Sequence, residues 1–374
     1  MGTEPVVIHI DTERTWRGGQ QQVSYLYEGL RNRGFQTGMI CQPNSALENH
    51  LRGKHLPCHP IRMRNELDMP AGYRIAKYCR KMNANILQLH SAHALSIGLW
   101  AKLFCNDVKL IAVRRVDFHI RKSYLKSKKY NNRYLDVIVC ISNRIKEVLR
   151  EDGIPDNKLA VIHSGIDVSR YRNHDVRSDL KTRLNIPENH TIIGTVAAMA
   201  GHKDYPNLLR AASIVTRKKE DITFIAVGDG PDRDKIVSLH QKLGLGNRFI
   251  LPGFKDNIGD YLNLFDIFVL ASREEGMGTS ILDAQAAGLP VVACAAGGIP
   301  EIVRHEYNGL LVPPKNPQAL ADATVRLVSD MNMRRNFSEN AKASVLDFSI
   351  EKTVDKNIQL YHDLLAGYQL VTDE

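Results

Sequence analysis

Short, almost wholly apolar runs alternate with amphipathic segments along this chain, and they do so in two series. PVVIHI (5–10), TGMIC (37–41), NILQLH (85–90), VKLIAV (108–113), DVIVCIS (136–142) and KLAVIHSGID (158–167) form the first. TIIGTVAA (191–198), ITFIAVGDG (222–230), RFILPG (248–253), DIFVLAS (266–272) and PVVACA (290–295) form the second. Runs this short and this uniformly apolar predict strands buried on both faces, as in parallel sheets covered by helices. The segments between them carry helical spacing. QQVSYLYEGLRNRG (21–34) has apolar residues at 23, 26, 27 and 30 and a glycine stop. NRIKEVLREDG (143–153), YPNLLRAASIVTRK (205–218), DKIVSLHQKLG (234–244), IGDYLNLF (258–265) and TSILDAQAAG (279–288) follow the same logic, and 348–368 predicts a long amphipathic helix.

Around 168–190 the sequence turns polar and irregular, and the expected break falls after residue 170. At 374 residues the chain is of two-domain size. The expected fold class is α/β: two doubly wound, Rossmann-like domains over 1–170 and 171–349, with the final helix (about 350–374) packing back on the first. Ligands of such sheets bind outside the carboxyl ends of the strands, and two facing domains enclose a cleft.

No apolar run approaches the ~18 residues of a membrane-spanning helix. The start, MGTEPVVIHID, lacks the basic and apolar regions of a signal peptide. Six cysteines, none in a C-x-x-C pair, fit a reducing cytosol. His55, Cys58 and His59 lack a second ligand pair, so no metal site is expected. The net charge of +9 is uneven. Residues 1–170 hold 27 Lys and Arg against 15 Asp and Glu, and the remainder holds 23 against 26. The excess peaks over 114–134, where Asp117 is the only acid. A solvated face explains such a run, and so does contact with an anionic membrane or acceptor. No nucleic-acid-binding module is present in the sequence, so nucleic acid is not an expected partner.

Three segments carry chemistry. WRGGQQQ (16–22) joins the first strand to the first helix. Gly18 and Gly19 permit a tight turn or the close approach of an anion to a helix N-terminus, and the dinucleotide pattern G-x-G-x-x-G is absent. In REEGMGTSILDAQAAGLPVV (273–292) an acidic residue follows a buried strand, a glycine-rich loop comes next, and a helix starts near Thr279. Loop and helix start form a phosphate site. Glu275 before it and Asp283 within the helix can accept hydrogen bonds from sugar hydroxyls, so anion plus polyol describes a nucleotide-sugar. In LQLHSAHALS (87–96), His90 ends a buried strand, and His93 follows closely. The D-x-D pair Asp232 and Asp234 precedes a helix, where the helix dipole alone favours carboxylates.

EGMGTSILDAQAAGLPVV resembles the signature of family 4 of the retaining glycosyltransferases, which have the GT-B fold. That signature holds two glutamates separated by seven residues, and here Asp283 replaces the second. GGQQQVSYLYEGLRNRG, VIHSGID (161–167), GTVAAMAGHKDYPNLLRA (194–211), VGDGP (227–231) and AAGGIPEIV…YNGLLVPP (295–314) are similar to further family segments, so the resemblance covers nearly the whole chain. It implies that Glu275 contacts the donor sugar, that the loop of Gly276, Met277, Gly278 and Thr279 holds the distal phosphate, and that Asp283 takes the ribose. It further implies that Lys203 neutralises the diphosphate, that Gly228 joins the donor contacts, and that His90 faces the donor sugar, with His93 the second choice. The loop after the fifth strand belongs to the acceptor side by the same resemblance, with Arg114, Arg115, Asp117 and Arg121 as candidate contacts beside Gly18 and Gly19. Family members usually carry an arginine five residues before the lysine, where this chain has Ala198. Arg273 is a possible stand-in.

The expected activity is therefore metal-independent retaining transfer of a sugar from a nucleotide-diphosphate sugar to a glycan or lipid-linked acceptor by front-face displacement, without a further cofactor. The expected setting is the cytoplasm, with contact at the inner face of a membrane. A nucleotide-sugar 2-epimerase on the same fold and a non-catalytic nucleotide-sugar-binding protein are the alternative readings.

Overall fold

The computed structural model describes residues 4–121, 123–171 and 177–368. The chain divides into two compact units, Met1–Gly165 with Ile350–Glu374, and Ile166–Ser349. The division falls earlier than the expected break after residue 170. The reason is that buried Ile166 pairs with Ser349 in an isolated parallel bridge and donates to the Phe348 carbonyl at 3.0 Å. Of the polar stretch expected at the junction, residues 172–176 lie outside the described residues, as do Lys122 of the basic run and the last residues, 369–374.

The first unit holds seven strands: β1 (Val7–Ile10), β2 (Thr37–Cys41), β3 (His59–Pro60), β4 (Ile86–Leu89), β5 (Lys109–Arg114), β6 (Val137–Cys140) and β7 (Leu159–Val161). They form one parallel sheet in the order β3-β2-β1-β4-β5-β6-β7. Strand order reverses beside β1, where Ile10 stands opposite Ile40 on one side and Leu89 on the other. The second unit holds β8 (Thr191–Val196), β9 (Ile222–Val227), β10 (Phe249–Gly253), β11 (Ile267–Leu270), β12 (Val291–Cys294) and β13 (Gly309–Val312). Its order, β10-β9-β8-β11-β12-β13, reverses between β8 and β11. All four residues of β1, β4, β11 and β12 are buried, as strands between two helical layers must be.

The first helix spans Gly18–Asn32 and so starts earlier than the expected 21. Gly18 and Gly19 are its first residues rather than a preceding turn, because Gln20 and Gln21 already donate to the Arg17 carbonyl. The C-terminal helix, Ile350–Ala366, packs on that first helix so closely that a methyl group on Gly29 would stand 2.5 Å from Val354 Cγ2. Among the described residues no helix is long and apolar enough to cross a membrane.

Candidate active site

In doubly wound sheets the crevice forms where strand order reverses, at the carboxyl ends of the strands. In the second unit that place is the end of β8 and β11. The loop after β8 ends in a short 3-10 turn, Gly201–Lys203, followed by Asp204 in the left-handed region at φ 47°. The Lys203 ammonium forms an ion pair with Glu275 from the loop after β11, both largely buried. Ser272 Oγ donates to the same carboxylate at 3.1 Å, and the Glu275 carbonyl accepts from Gly298 N–H at 3.0 Å. Glu275 is thus fixed from three directions.

Three residues on, Gly278 adopts φ 86°, which glycine takes without strain. It leads into the helix Thr279–Ala286, which no side chain caps. The N-terminal N–H groups of that helix present partial positive charge beside Glu275. Met277 is buried. Asp283, one turn into the helix, accepts a hydrogen bond from Tyr171 OH at 2.7 Å. Burial pushes its carboxyl up to about 6, although the Tyr171 hydrogen bond and Arg170 favour the charged form.

Gly228, expected as a donor contact, also has a packing role. A Cβ there would stand 2.0 Å from the Ala197 carbonyl oxygen, and one on Gly230 would stand 2.5 Å from that of Met199. These glycines let the turn after β9 press against the Lys203 loop and hold its path. Asp232 sits just before the helix Arg233–Lys242, pairs with Lys235 at 3.1 Å, and Asp234 lies in the first turn. Both are helix-end carboxylates. His59, from the histidine–cysteine cluster, stacks on Tyr78. No group of three or more His, Cys, Asp or Glu is arranged to hold a metal ion among the described residues.

In the first unit the matching crevice lies where β1 meets β4. His9 Nδ1 and His90 Nε2 are 3.0 Å apart, and Arg115 Nη2 lies 3.4 Å from His90 Nδ1. An arginine only donates, so His90 Nδ1 accepts, its Nε2 carries the proton, and His9 Nδ1 accepts in turn. Both ring nitrogens of His90 are therefore engaged by the protein, and a sugar hydroxyl reaches His90 only by displacing one of them. Burial holds the His90 imidazole well below its ordinary value, with the charges of His9 and Arg115 adding to this, and burial takes His9 down to about 3. Arg115 is lowered to about 10 by burial, against the opposing effect of Asp11. Burial raises Asp11, which accepts from Gln20 Nε2 at 3.1 Å and from Glu13 N–H at 2.9 Å. Gly19 belongs to this group, since a methyl group on it would stand 3.6 Å from Arg115 Cδ.

The other expected acceptor residues separate. Arg114 is buried and donates to the Phe118 carbonyl at 2.6 Å and to Tyr130 OH at 3.2 Å, so it holds the loop rather than opening onto it. Arg121 pairs with Asp152 at 3.5 Å. Asp117 is half-buried, and His93 lies in the first turn of the helix Ala92–Phe104 with its Nε2 buried and unpartnered. The residues that sequence reasoning missed are His9, Asp11, Gln20, Ser272 and Tyr171. Asp11 alone had a local signal, a carboxylate directly after a buried strand.

Residues 176–344 match the profile of the glycosyl transferases group 1, and residues 16–170 match that of Glycosyltransferase Family 4. The chain is 27% identical over 306 residues to N-acetyl-alpha-D-glucosaminyl L-malate synthase of Bacillus anthracis, covering 80% of each. It is also 27% identical over 370 residues to UDP-Gal:alpha-D-GlcNAc-diphosphoundecaprenol alpha-1,3-galactosyltransferase of Escherichia coli, covering 93% of this chain and 95% of that one. Among solved structures, Anabaena HepE in complex with UDP and glucose superposes with a TM-score of 0.85 at 20% identity, covering 96% of this chain and 99% of that one. With both of its units matched in sequence and its two parallel sheets matched in fold, the chain belongs to the family 4 glycosyltransferases of GT-B fold.

Proposed function

We propose that this glycosyltransferase takes a nucleotide-diphosphate sugar at the β8–β11 crevice and moves the sugar, with retention, to a hydroxyl of a glycan or lipid-linked acceptor. The observation that carries the reading is the Lys203–Glu275 pair beside an uncapped helix N-terminus at the reversal of strand order. A cation and helix N–H groups suit a diphosphate, and carboxylates at Glu275 and Asp283 suit sugar and ribose hydroxyls. The names of the Escherichia coli relative, which uses a UDP-sugar and a lipid diphosphate, and of UDP-bound HepE support that donor class and that kind of acceptor.

In the transfer step the acceptor oxygen bonds to the anomeric carbon as the bond from that carbon to the diphosphate oxygen breaks on the same face. The acceptor proton passes to the departing diphosphate oxygen. The protein contributes positioning and charge stabilisation, with Lys203 and the helix start at Thr279 facing the leaving group in place of a metal ion.

The test is thermal stabilisation by UDP-, GDP-, ADP- and CDP-linked sugars. At about 100 times its dissociation constant a donor stabilises the fold by ~2.7 kcal/mol. One nucleotide series raises the melting temperature of the wild type, and Lys203→Ala loses the effect. Stabilisation by none of the four, or by one of them equally in both proteins, overturns the donor-site reading.

A further inference from the structure

A diphosphate entering the β8–β11 crevice meets Lys203, whose charge is already shared with the Glu275 carboxylate. Position 198, where the family usually carries an arginine, is an exposed alanine. One side chain on the adjoining loop remains. Arg273 follows β11 and its N–H donates to the His202 carbonyl at 2.9 Å, which ties the two loops together one residue from Lys203. Its guanidinium lies across the Lys203 loop, with Nη2 3.7 Å from where a Cβ on Gly201 would stand.

The Arg273 side chain is exposed and forms no hydrogen bond or ion pair among the described residues. The carboxylate beside the same point, Asp232, pairs with Lys235 instead. A fork of guanidinium donors with no internal partner, at the reversal of strand order and beside a half-neutralised lysine, matches an oxyanion in geometry and charge.

Resting on the donor-site reading above, we infer that Arg273 is the second cation of the diphosphate site and takes the place of the arginine that position 198 lacks. The charge has moved from the loop after β8 to the neighbouring loop after β11, and the two loops are bound to each other at His202.

Calorimetric titration of UDP and of uridine into the full chain tests this. Arg273→Ala weakens UDP binding about ten- to a hundredfold, the range for loss of a charge-assisted hydrogen bond. Uridine, which has no phosphate, binds unchanged. Arg273→Lys keeps part of the affinity, because a point charge replaces the fork. Adding Ala198→Arg to Arg273→Ala restores UDP binding, since position 198 is exposed. If Arg273→Ala binds UDP as the wild type does while Lys203→Ala does not, the inference is wrong and the donor site stands. If Arg273→Ala weakens UDP and uridine alike and Ala198→Arg restores neither, the arginine is structural and the inference is again wrong. If UDP, GDP, ADP and CDP all fail to bind the wild type, the donor-site reading falls and takes the inference with it.

Discussion

A carboxylate proposed to accept hydrogen bonds from a ribose is most useful when ionised, yet Asp283 sits where burial favours its proton, with a value of about 6 against an ordinary 3.8. The two requirements have opposite signs in pH, which makes the residue testable. In the unbound chain the raised value means that folded protein keeps a proton that unfolded protein has released between about pH 4 and pH 6. The contribution of Asp283 to stability is therefore fully present below about 4 and is lost as pH rises through about 6. Urea unfolding of the wild type and of Asp283→Asn across this window separates it: the wild type loses stability relative to the variant as pH rises. A difference between the two that stays constant with pH would remove Asp283 as a titrating group. The proposed ribose contact works the other way: it predicts that uridine binding strengthens as pH rises through about 6 in the wild type and not in the variant. Glu275 and Asp283 were both legible in the sequence, because their spacing around a glycine-rich loop is local. Tyr171 and the Lys203–Glu275 pair were not, because their partners lie 112 and 72 residues away and only the sheet brings them together.

The elements divide by how locally their causes act. The strands at the centre of each sheet were legible because burial on both faces leaves an apolar run that nothing else in the chain resembles. β3 was not, since it is two residues long and its pairing rests only on Ile40 and Cys41 of the neighbouring strand. The helices Pro317–Ser329 and Met331–Ser344 lie outside the expected elements. A single residue separates them, and that residue, Asp330, ends the first while its side chain caps the second by accepting from Met333 N–H at 2.9 Å. With no loop between them they lack the break that marks an element in sequence. The helix Ile350–Ala366 was expected from its amphipathic spacing, and the contact it makes on the helix Gly18–Asn32 turns on one glycine. A Cβ at Gly29 would stand 2.5 Å from Val354 Cγ2, inside any tolerated contact. Gly29→Ala gains helix propensity of roughly 1 kcal/mol, yet it pushes the C-terminal helix outward, an overpacking cost of about 1–3 kcal/mol. Thermal unfolding shows a lower melting temperature for Gly29→Ala, and adding Val354→Ala recovers part of the loss through a favourable coupling between the two changes. Strictly additive losses in that double-mutant cycle would mean that the helices shift freely and that the contact does not fix them.

At the scale of the whole molecule the charge is partitioned, with an excess of 12 positive charges in residues 1–170 and a small negative balance in the rest. The structure adds apolar side chains to that basic half. Tyr124 and Leu125, on the helix Tyr124–Tyr130, are 76% and 77% exposed, and Leu67 is 77% exposed. Lys129 joins the two segments by bonding Glu66 Oε2 at 3.0 Å and the Ala92 carbonyl at 3.0 Å, so Leu67 and the helix belong to one surface. Lys128 lies 5.9 Å from the Tyr124 ring centre on that surface. Exposed aromatic and aliphatic groups among lysines are the composition of a peripheral contact with an anionic bilayer, in which the lysines meet headgroups and the apolar tips enter the interface. For a transferase with a lipid-linked acceptor this would hold the enzyme where its acceptor is. Each basic residue near such a surface contributes about 1 kcal/mol at low salt, and the screening length falls from about 10 Å at 0.1 M to about 3 Å at 1 M. In flotation with phosphatidylserine-containing vesicles the chain therefore floats at low salt and is largely released at high salt, and it ignores neutral vesicles at both. Lys128→Glu weakens flotation at low salt. Tyr124→Ser with Leu125→Ser removes the fraction that survives high salt while leaving the low-salt attraction. Failure to float with anionic vesicles at low salt would leave the charge partition as a solvated surface and place acceptor capture in the site alone.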